Sequence, residues 1–427
     1  MAGDNWRDGM FAIHNISLVC KAFHEHSSSV LFKDVSLSQG NGHYHSLVLA
    51  CKQIENLFSL INTNPGLAKG CKSLKFSLPC TAPELGRAET NPDWLLANRL
   101  LTSLPQVQMI EIHGGFGYRP SWLEISQLLR SMSHLKSLKF GFVKLATRAF
   151  PPTEQRDLYL PDVWRCVQDL DLRSLELDGI RSEHNISLWN MSKELVRTSP
   201  IINISLEDFG ETPKALRTLL RGPKALEHFA FHISNANRAS KLWSLETLRT
   251  LLYDHCHSLK SIGISALSKE KSISPFNTSS NFHGFPKLEK LTISPRDMDA
   301  NVTPEIAHGF ASNLRHFIWD FTLLEREPWH AFGKDQRDWL LKFAKLAIER
   351  GATLRKIDIV FTPSDEIGMG DVIRAQMQDF WPWDLMDEVR DAVCPHIELV
   401  YNDHVSKEHC EMLIDSYREY VAGYGNF

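Results

Sequence analysis

Leu135-Lys136-Ser137-Leu138-Lys139-Phe140 is the stretch on which the reading of this chain turns. Its pattern is an apolar residue, two spacers, an apolar residue, one spacer and a further apolar residue. The phrase returns as Leu172-Leu175-Leu177, Leu226-Phe229-Phe231, Leu259-Ile262-Ile264, Leu288-Leu291-Ile293, Leu314-Phe317-Trp319 and Leu354-Ile357-Ile359. Looser copies lie at Leu74-Phe76 and Val107-Ile110-Ile112, and the poorest spans Ile201–Leu206. Apolar residues two apart share one face of a strand. A phrase that recurs about every 31 residues marks a solenoid, in which each unit is a strand plus a return segment and buries its apolar side only by stacking on its neighbours.

Between the phrases lie segments with apolar residues at i, i+3, i+4 and i+7, the mark of an amphipathic helix. The clearest is His45–Ile61, with Leu47, Ala50, Cys51, Ile54, Leu57, Phe58 and Ile61 on one face. Pro92–Leu101, Trp122–Met132, Leu188–Val196, Pro213–Leu220, Leu245–Cys256, Pro304–Phe310 and Trp339–Ile348 read similarly. Several begin at proline, a favoured first-turn residue. Strand, helix and strand in repetition build a parallel sheet. The expected fold class is therefore α/β: an irregular leucine-rich-repeat solenoid, a horseshoe with parallel strands inside and helices outside. Its period exceeds the roughly 20–29 residues of standard units, so the units are divergent and carry insertions. Phe142–Tyr159 and the Ser/Asn-rich Leu267–Phe285 read as insertion loops. After Phe361 the phrase fades, and Val405–Val421 reads as a closing helix. The expected layout is a helical segment over 1–40, the solenoid over 41–402 and a capping helix over 403–427.

The chain of 427 residues carries 47 Lys and Arg against 51 Asp and Glu, a net charge of −4. This balance lacks the basic excess of a nucleic-acid or anionic-membrane binder, so neither partner is expected. The eight cysteines are scattered without a CxxC pair, which fits reduced thiols in an intracellular protein, cytoplasmic or nuclear. The N-terminal MAGDNWRDGMFAIHN has no basic-then-apolar secretory pattern. The sequons at Asn15, Asn185, Asn190, Asn203, Asn277 and Asn301 are on that ground read as chance. No apolar run reaches membrane-spanning length.

Residues 16–37 read ISLVCKAFHEHSSSVLFKDVSL. A short helix would carry Leu18, Val19, Ala22 and Phe23 on one face, followed by a polar turn and by Val30, Leu31, Phe32, Val35 and Leu37. Two apolar pieces this short cannot bury themselves alone. The segment resembles the C-terminal half of an F-box, in which an SLVCK-x-F helix leads into LLF-x-x-V-x-L. The match consists of Leu18, Val19, Cys20, Phe23, Leu31, Phe32, Val35 and Leu37. The family's Leu-Pro opening is not found in Met1–Asn15, so the F-box is incomplete. Followed by degenerate repeats, the layout is similar to the F-box/leucine-rich-repeat proteins abundant in filamentous fungi. The resemblance implies a non-enzymatic substrate receptor of a cullin–RING ubiquitin ligase. A Skp-type adaptor would bind through Leu18, Val19, Phe23, Leu31 and Phe32, and the repeats would present a protein target. The alternative is a stand-alone repeat scaffold with no ligase link.

Residues between the inward positions should face the concave side of the sheet, and a mixed-charge set there suits a protein or peptide partner. That set comprises Lys139, Glu176, Asp178, Glu207, His228, His232, Lys290, His316, Asp320, Lys356 and Asp358. His24-x-His26 and Asp254-His255-Cys256-His257 lack a second cluster at zinc-like spacing, so no metal is expected. His255 and His257 would instead close a helix C-terminus as favourable cations. Gly114-Gly115-Phe116-Gly117 and Gly368-Met369-Gly370 are not full phosphate-binding fingerprints, and no nucleophile-elbow, HExxH or Walker sequence occurs. No cofactor and no catalytic residue is therefore expected. Trp381-Pro382-Trp383 is read as the hydrophobic seal of the C-terminal cap, with a partner-binding hot spot as the other reading.

Overall fold

The computed structural model describes residues 30, 32–37, 44–78, 92–114, 119–141, 158–180, 196–233, 243–265, 267, 282–295, 303–304, 313–321, 332–361 and 381–401, together with 408, 411, 412, 415, 416 and 419. The chain divides into two compact units. The first comprises Met1–Ser205 with Arg221–Lys224, and the second Leu206–Leu220 with Ala225–Phe427.

In the first unit, β1 (Asp34–Leu37), α1 (Tyr44–Thr63), α2 (Gly66–Gly70), β2 (Ser73–Ser77), α3 (Pro92–Thr102), β3 (Met109–His113), α4 (Arg119–Ser131), β4 (Ser137–Gly141), α5 (Leu160–Val167) and β5 (Ser174–Asp178) follow in order. β6 (Asn203–Glu207) runs across the division. The strands pair in parallel in chain order, with a helix in most crossovers, as parallel pairing requires of the connection. The register sets like on like: Val35, Leu74, Ile110, Leu138 and Leu175 stand side by side, as do Leu37, Phe76, Ile112, Phe140 and Leu177. From β2 onward these inward residues are at most 1% exposed. The helices close over them: α5 buries Leu160, Val163, Trp164 and Val167, the spacing of one helical face.

The second unit repeats the scheme with α6 (Pro213–Leu220), β7 (His228–His232), α7 (Leu245–Leu252), a 3₁₀ turn (Tyr253–His255), β8 (Ser261–Ser265), β9 (Lys290–Ile293), β10 (His316–Asp320), α8 (Lys334–Glu349), β11 (Lys356–Val360), α9 (Pro382–Val393) and β12 (Glu398–Tyr401). Here Phe229, Ile262, Leu291, Phe317, Ile357 and Leu399 are in register, and so are Phe231, Ile264, Ile293, Trp319, Ile359 and Tyr401. Ser244 caps α7 by accepting the Thr247 N–H at 3.1 Å, and the Gln336 side chain caps α8 by accepting the Gly333 N–H at 3.0 Å.

One backbone device recurs at the strand starts. A single carbonyl just before one strand accepts two consecutive N–H groups at the start of the next: Gln108 O from Lys136 and Ser137, Lys136 O from Arg173 and Ser174, Lys260 O from Glu289 and Lys290, Arg315 O from Arg355 and Lys356. This shared acceptor locks the register that the apolar phrase selects. Hydroxyls reinforce it in the second unit, where Ser258 donates to Leu226 O at 2.7 Å and Thr353 to Leu314 O at 2.9 Å.

Three differences from the sequence reading stand out. Val35 and Leu37, read with the helical segment, form β1 and pair with β2. The phrase that fades after Phe361 returns within the 41–402 span: Ile397-Leu399-Tyr401 carries a further strand, β12, not singled out in the sequence, which continues the inward rows after α9. α8 begins at Lys334 rather than near Trp339, because Gln336 provides its cap. Of the expected loops and helices, residues 142–157, 188–195, 268–281 and 305–310 lie outside the described residues, as does most of 403–427, where Glu408, Glu411, Met412, Asp415, Ser416 and Glu419 are helical. Trp383 is 6% exposed and meets Phe361 edge-on at 5.8 Å, so it belongs to the core.

Candidate functional site: the polar face of the sheet

Strand alternation leaves one face of each unit's sheet to the residues between the inward rows. In the first unit the middle row is a ladder of alternating charge, with Lys75, Glu111, Lys139 and Glu176 side by side on β2 to β5. Lys75 Nζ lies 2.9 Å from Glu111 Oε1, and Lys139 Nζ lies 3.6 Å from both Glu111 and Glu176. His113 Nε2 adds a contact to Glu111 at 2.6 Å. Burial opposes the charge on Glu111, but hydrogen bonds from Lys75 and His113 outweigh it and hold the carboxyl below its ordinary range. The His113 ring occupies the space above Gly141, where an added Cβ would stand 2.8 Å from Nδ1. Asp178, next in that row, is buried at 7% exposure.

The second unit's face is built differently. His228, Lys290, His316 and Lys356 stand in the outer row, with Ser261 between the first two. The middle row is nearly apolar: Ala230, Gly263, Thr292, Ile318, then Asp358 and Val400. Asp358 gathers two partners, His316 Nε2 at 2.7 Å and Lys356 Nζ at 3.1 Å. His232 Nδ1 is hydrogen-bonded to the Ser265 hydroxyl, and Ser265 is fully buried. Burial lowers the pKa of His232, against the pull of Asp320 and Glu207.

The eleven residues expected on this face occupy outward positions on β4 to β7, β9, β10 and β11, with His228 exposed and Asp178 buried. The structure joins Lys139 with Glu176, and His316 and Lys356 with Asp358. Lys75, Glu111 and His113 belong to the same face and were not in the expected set. Their signal was present in the looser copies of the phrase, whose spacers hold them. Of the expected adaptor contacts, Leu18, Val19, Phe23 and Leu31 lie outside the described residues, and Phe32 is a half-buried turn residue just before β1.

His255 is not a helix-end cation. It is 1% exposed, its Nε2 donates to Leu220 O at 2.7 Å, and its Nδ1 accepts the Leu226 N–H at 3.3 Å. Accepting at one nitrogen while donating at the other requires the neutral ring. His24 and His26 lie outside the described residues, among which no group of three His, Cys, Asp or Glu side chains is placed to hold a metal ion. Burial raises the thiol of Cys71 to about 11 and that of Cys166 to about 12, which leaves both poor nucleophiles. A cavity of about 110 Å³ beside Ala347, Gly351, Arg355 and His396 is well below the roughly 300–1,000 Å³ of small-molecule pockets. The Asn203 sequon lies in β6, where the residue is half-buried and its Oδ1 is buried. Among the described residues, no helix is long and apolar enough to cross a membrane.

Parallel strands in chain order, one per repeat, with inward leucine-type rows and return helices, define the chain as a leucine-rich-repeat solenoid of the α/β class. No protein family and no curated protein sequence matches it. Among solved structures, it is similar to the leucine-rich-repeat-containing protein LegL7 from Legionella pneumophila, at 12% identity over 91% of this chain and 98% of that one, with a TM-score of 0.39. It is also similar to the mouse RP105/MD-1 complex, at 12% identity over 69% of this chain and 47% of that one, TM-score 0.37. The yeast Rad7–Elc1 complex shares 13% identity over 71% of this chain and 90% of that one, TM-score 0.30.

Proposed function

We propose that the chain is a protein-recognition module that holds its partner on the polar face of the sheet. The supporting observation is the row structure of that face: charged and imidazole side chains in register on successive strands, half-exposed, on a backbone fixed by the shared-carbonyl device. Rigid strands present such groups without the ordering cost of a loop. The test is partner capture by the purified full chain. Lys139→Glu and Lys290→Glu should release a captured partner, whereas Lys342→Glu and Lys345→Glu, on the exposed side of α8, should retain it. Equal retention by all four variants would overturn the assignment.

The finer reading is a substrate receptor of a ubiquitin ligase, and it rests on the F-box-like residues 16–37. Val35 and Leu37 pair with β2, and the expected adaptor residues Leu18, Val19, Phe23, Leu31 and Phe32 all precede that strand. The chain should then bind a Skp-type adaptor, and Leu18→Asp should abolish that binding without disturbing β1. Absence of adaptor binding by a folded, monodisperse chain would leave the recognition module without a ligase link.

A further inference from the structure

We propose that the second unit's polar face takes an extended acidic peptide, whose carboxylates meet Lys290, Arg315 and Lys356 and whose intervening small apolar side chains lie over Thr292 and Ile318. This deepens the recognition reading above and rests on it. The observation that carries it is a difference in how the two faces balance charge. In the first unit, Lys75 and Lys139 of the middle row find carboxylates on the strands beside them, and Glu111 serves both. In the second, β9, β10 and β11 open on Lys290, His316 and Lys356, and Arg315 and Arg355 stand just before β10 and β11. Against Lys290, Arg315, Arg355 and Lys356 this stretch sets Glu289 and Asp358, and Asp358 is already shared by His316 and Lys356. Lys290 is half-exposed and Arg315 exposed. Neither makes an ion pair with a described residue.

Charge and spacing fix the chemistry of the occupant. Lys290 and Lys356 stand two strands apart in one row, which is about 10 Å at the strand spacing of a sheet. A peptide laid across the strands rises about 3.3 Å per residue and turns alternate side chains to opposite sides. One side then meets the cationic outer row. The other meets the middle row, where Thr292 and Ile318 carry no charge. Asp320 stands at the far end of β10 with the opposite sign, which turns the acidic side of the peptide toward the strand starts. The segment that fits alternates Glu or Asp with small apolar residues. A nucleic-acid strand fits less well, because it is charged at every step and the carboxylates of Glu289 and Asp358 stand among the cations.

Fluorescence anisotropy of the full chain with a short labelled peptide of alternating Glu and Val tests this. Saturable binding is expected, about tenfold or more tighter than to the Gln/Val counterpart and weakening as salt is raised. Lys290→Glu should weaken it by about tenfold or more, and Lys290→Gln, which removes the charge without reversing it, by less. Lys139→Glu and Arg173→Glu, both in the first unit, should leave it unchanged. No saturable binding, equal binding of the Gln/Val peptide, or equal loss in the first-unit variants would overturn the assignment. Displacement of the Glu/Val peptide by a short oligothymidylate at equal concentration would also overturn it and hand the patch to nucleic acid. The recognition reading is judged separately by partner capture. Capture lost in Lys139→Glu and Lys290→Glu, with no binding of the Glu/Val peptide, would keep the recognition face and overturn only its acidic specificity.

Discussion

The two units share a backbone scheme and fill it with different chemistry. Inside the first, the inward rows are mostly Leu and Ile; inside the second, Phe317 meets Phe343 at 5.2 Å, Trp339 stacks on Phe343 at 5.2 Å, and Trp319 lies 5.1 Å from Trp339. Outside, the first unit's charges neutralise one another along the ladder through Glu111. The second unit keeps imidazoles beside a nearly apolar row. The shared-carbonyl junction is indifferent to this, since it uses only backbone groups. Register is therefore set by main chain and apolar spacing, which frees the outward positions to vary.

The largest expected difference lies in the cores. Phe317→Ala should cost about 3–5 kcal/mol and Leu138→Ala about 2–5 kcal/mol, with Phe317 the costlier because its ring also loses its aromatic partners, each pair worth about 0.5–1.5 kcal/mol beyond burial. Urea denaturation of both variants checks the order, and equal losses would show that the aromatic cluster adds nothing beyond volume. Next comes His255→Ala in the second unit, which strands the Leu226 N–H and the Leu220 carbonyl, at about 1–3 kcal/mol for each buried group left unpaired. A loss below about 1 kcal/mol would mean that water replaces both bonds.

Two glycines sharpen the contrast between the faces. Gly141→Ala in the first unit pushes a methyl into the His113 ring, at 2.8 Å from Nδ1, and should cost about 1–2 kcal/mol, the range of modest overpacking. Gly263→Ala in the second meets Ala230, His232 and Thr292 only at ordinary contact, 3.8 Å. It should be neutral or gain about 0.5 kcal/mol, because a strand glycine is entropically unfavourable. Thermal melts of the pair give the comparison directly, and equal effects would contradict the packing described for the two faces.

Acid should separate the units by pH window. The pKa of His232 is lowered by burial from its ordinary 6.5, so the unfolded chain binds the proton more readily. Its contribution is complete above about pH 6.5 and is lost as pH falls below that value. Glu111 is lowered from 4.5, so its contribution persists to about pH 4.5 and disappears only as pH falls through its lower native value. Melting temperature against pH should therefore flatten below about pH 6.5 in His232→Gln, and only below about pH 4.5 in Glu111→Gln. Identical profiles for the two variants would break the comparison.

The fold was legible in the sequence because the phrase encodes what the sheet requires. Each triplet from Leu135-Leu138-Phe140 to Leu354-Ile357-Ile359 is buried as a row, and the outward residues follow by alternation. β12 was missed because Tyr401 stands in the third apolar place and the Trp-rich α9 precedes it. β1 was missed because Val35 and Leu37 also satisfy the F-box-like pattern. The role of His255 could not be read from its neighbours His257 and Cys256, since its partners lie 29 and 35 residues away in the chain. The ladder escaped in part because alternation gives the face of a residue but not the strand beside it. Only register places Lys75 against Glu111.

The most direct test of recognition on the sheet face is site-specific photo-crosslinking in the full chain. A benzophenone side chain would replace Lys139 or Thr292 on the polar face, or Leu123 on α4, which is 66% exposed. The account predicts partner adducts from Lys139 or Thr292 and none from Leu123. Adducts from Leu123 alone would contradict it and move the binding surface to the helices.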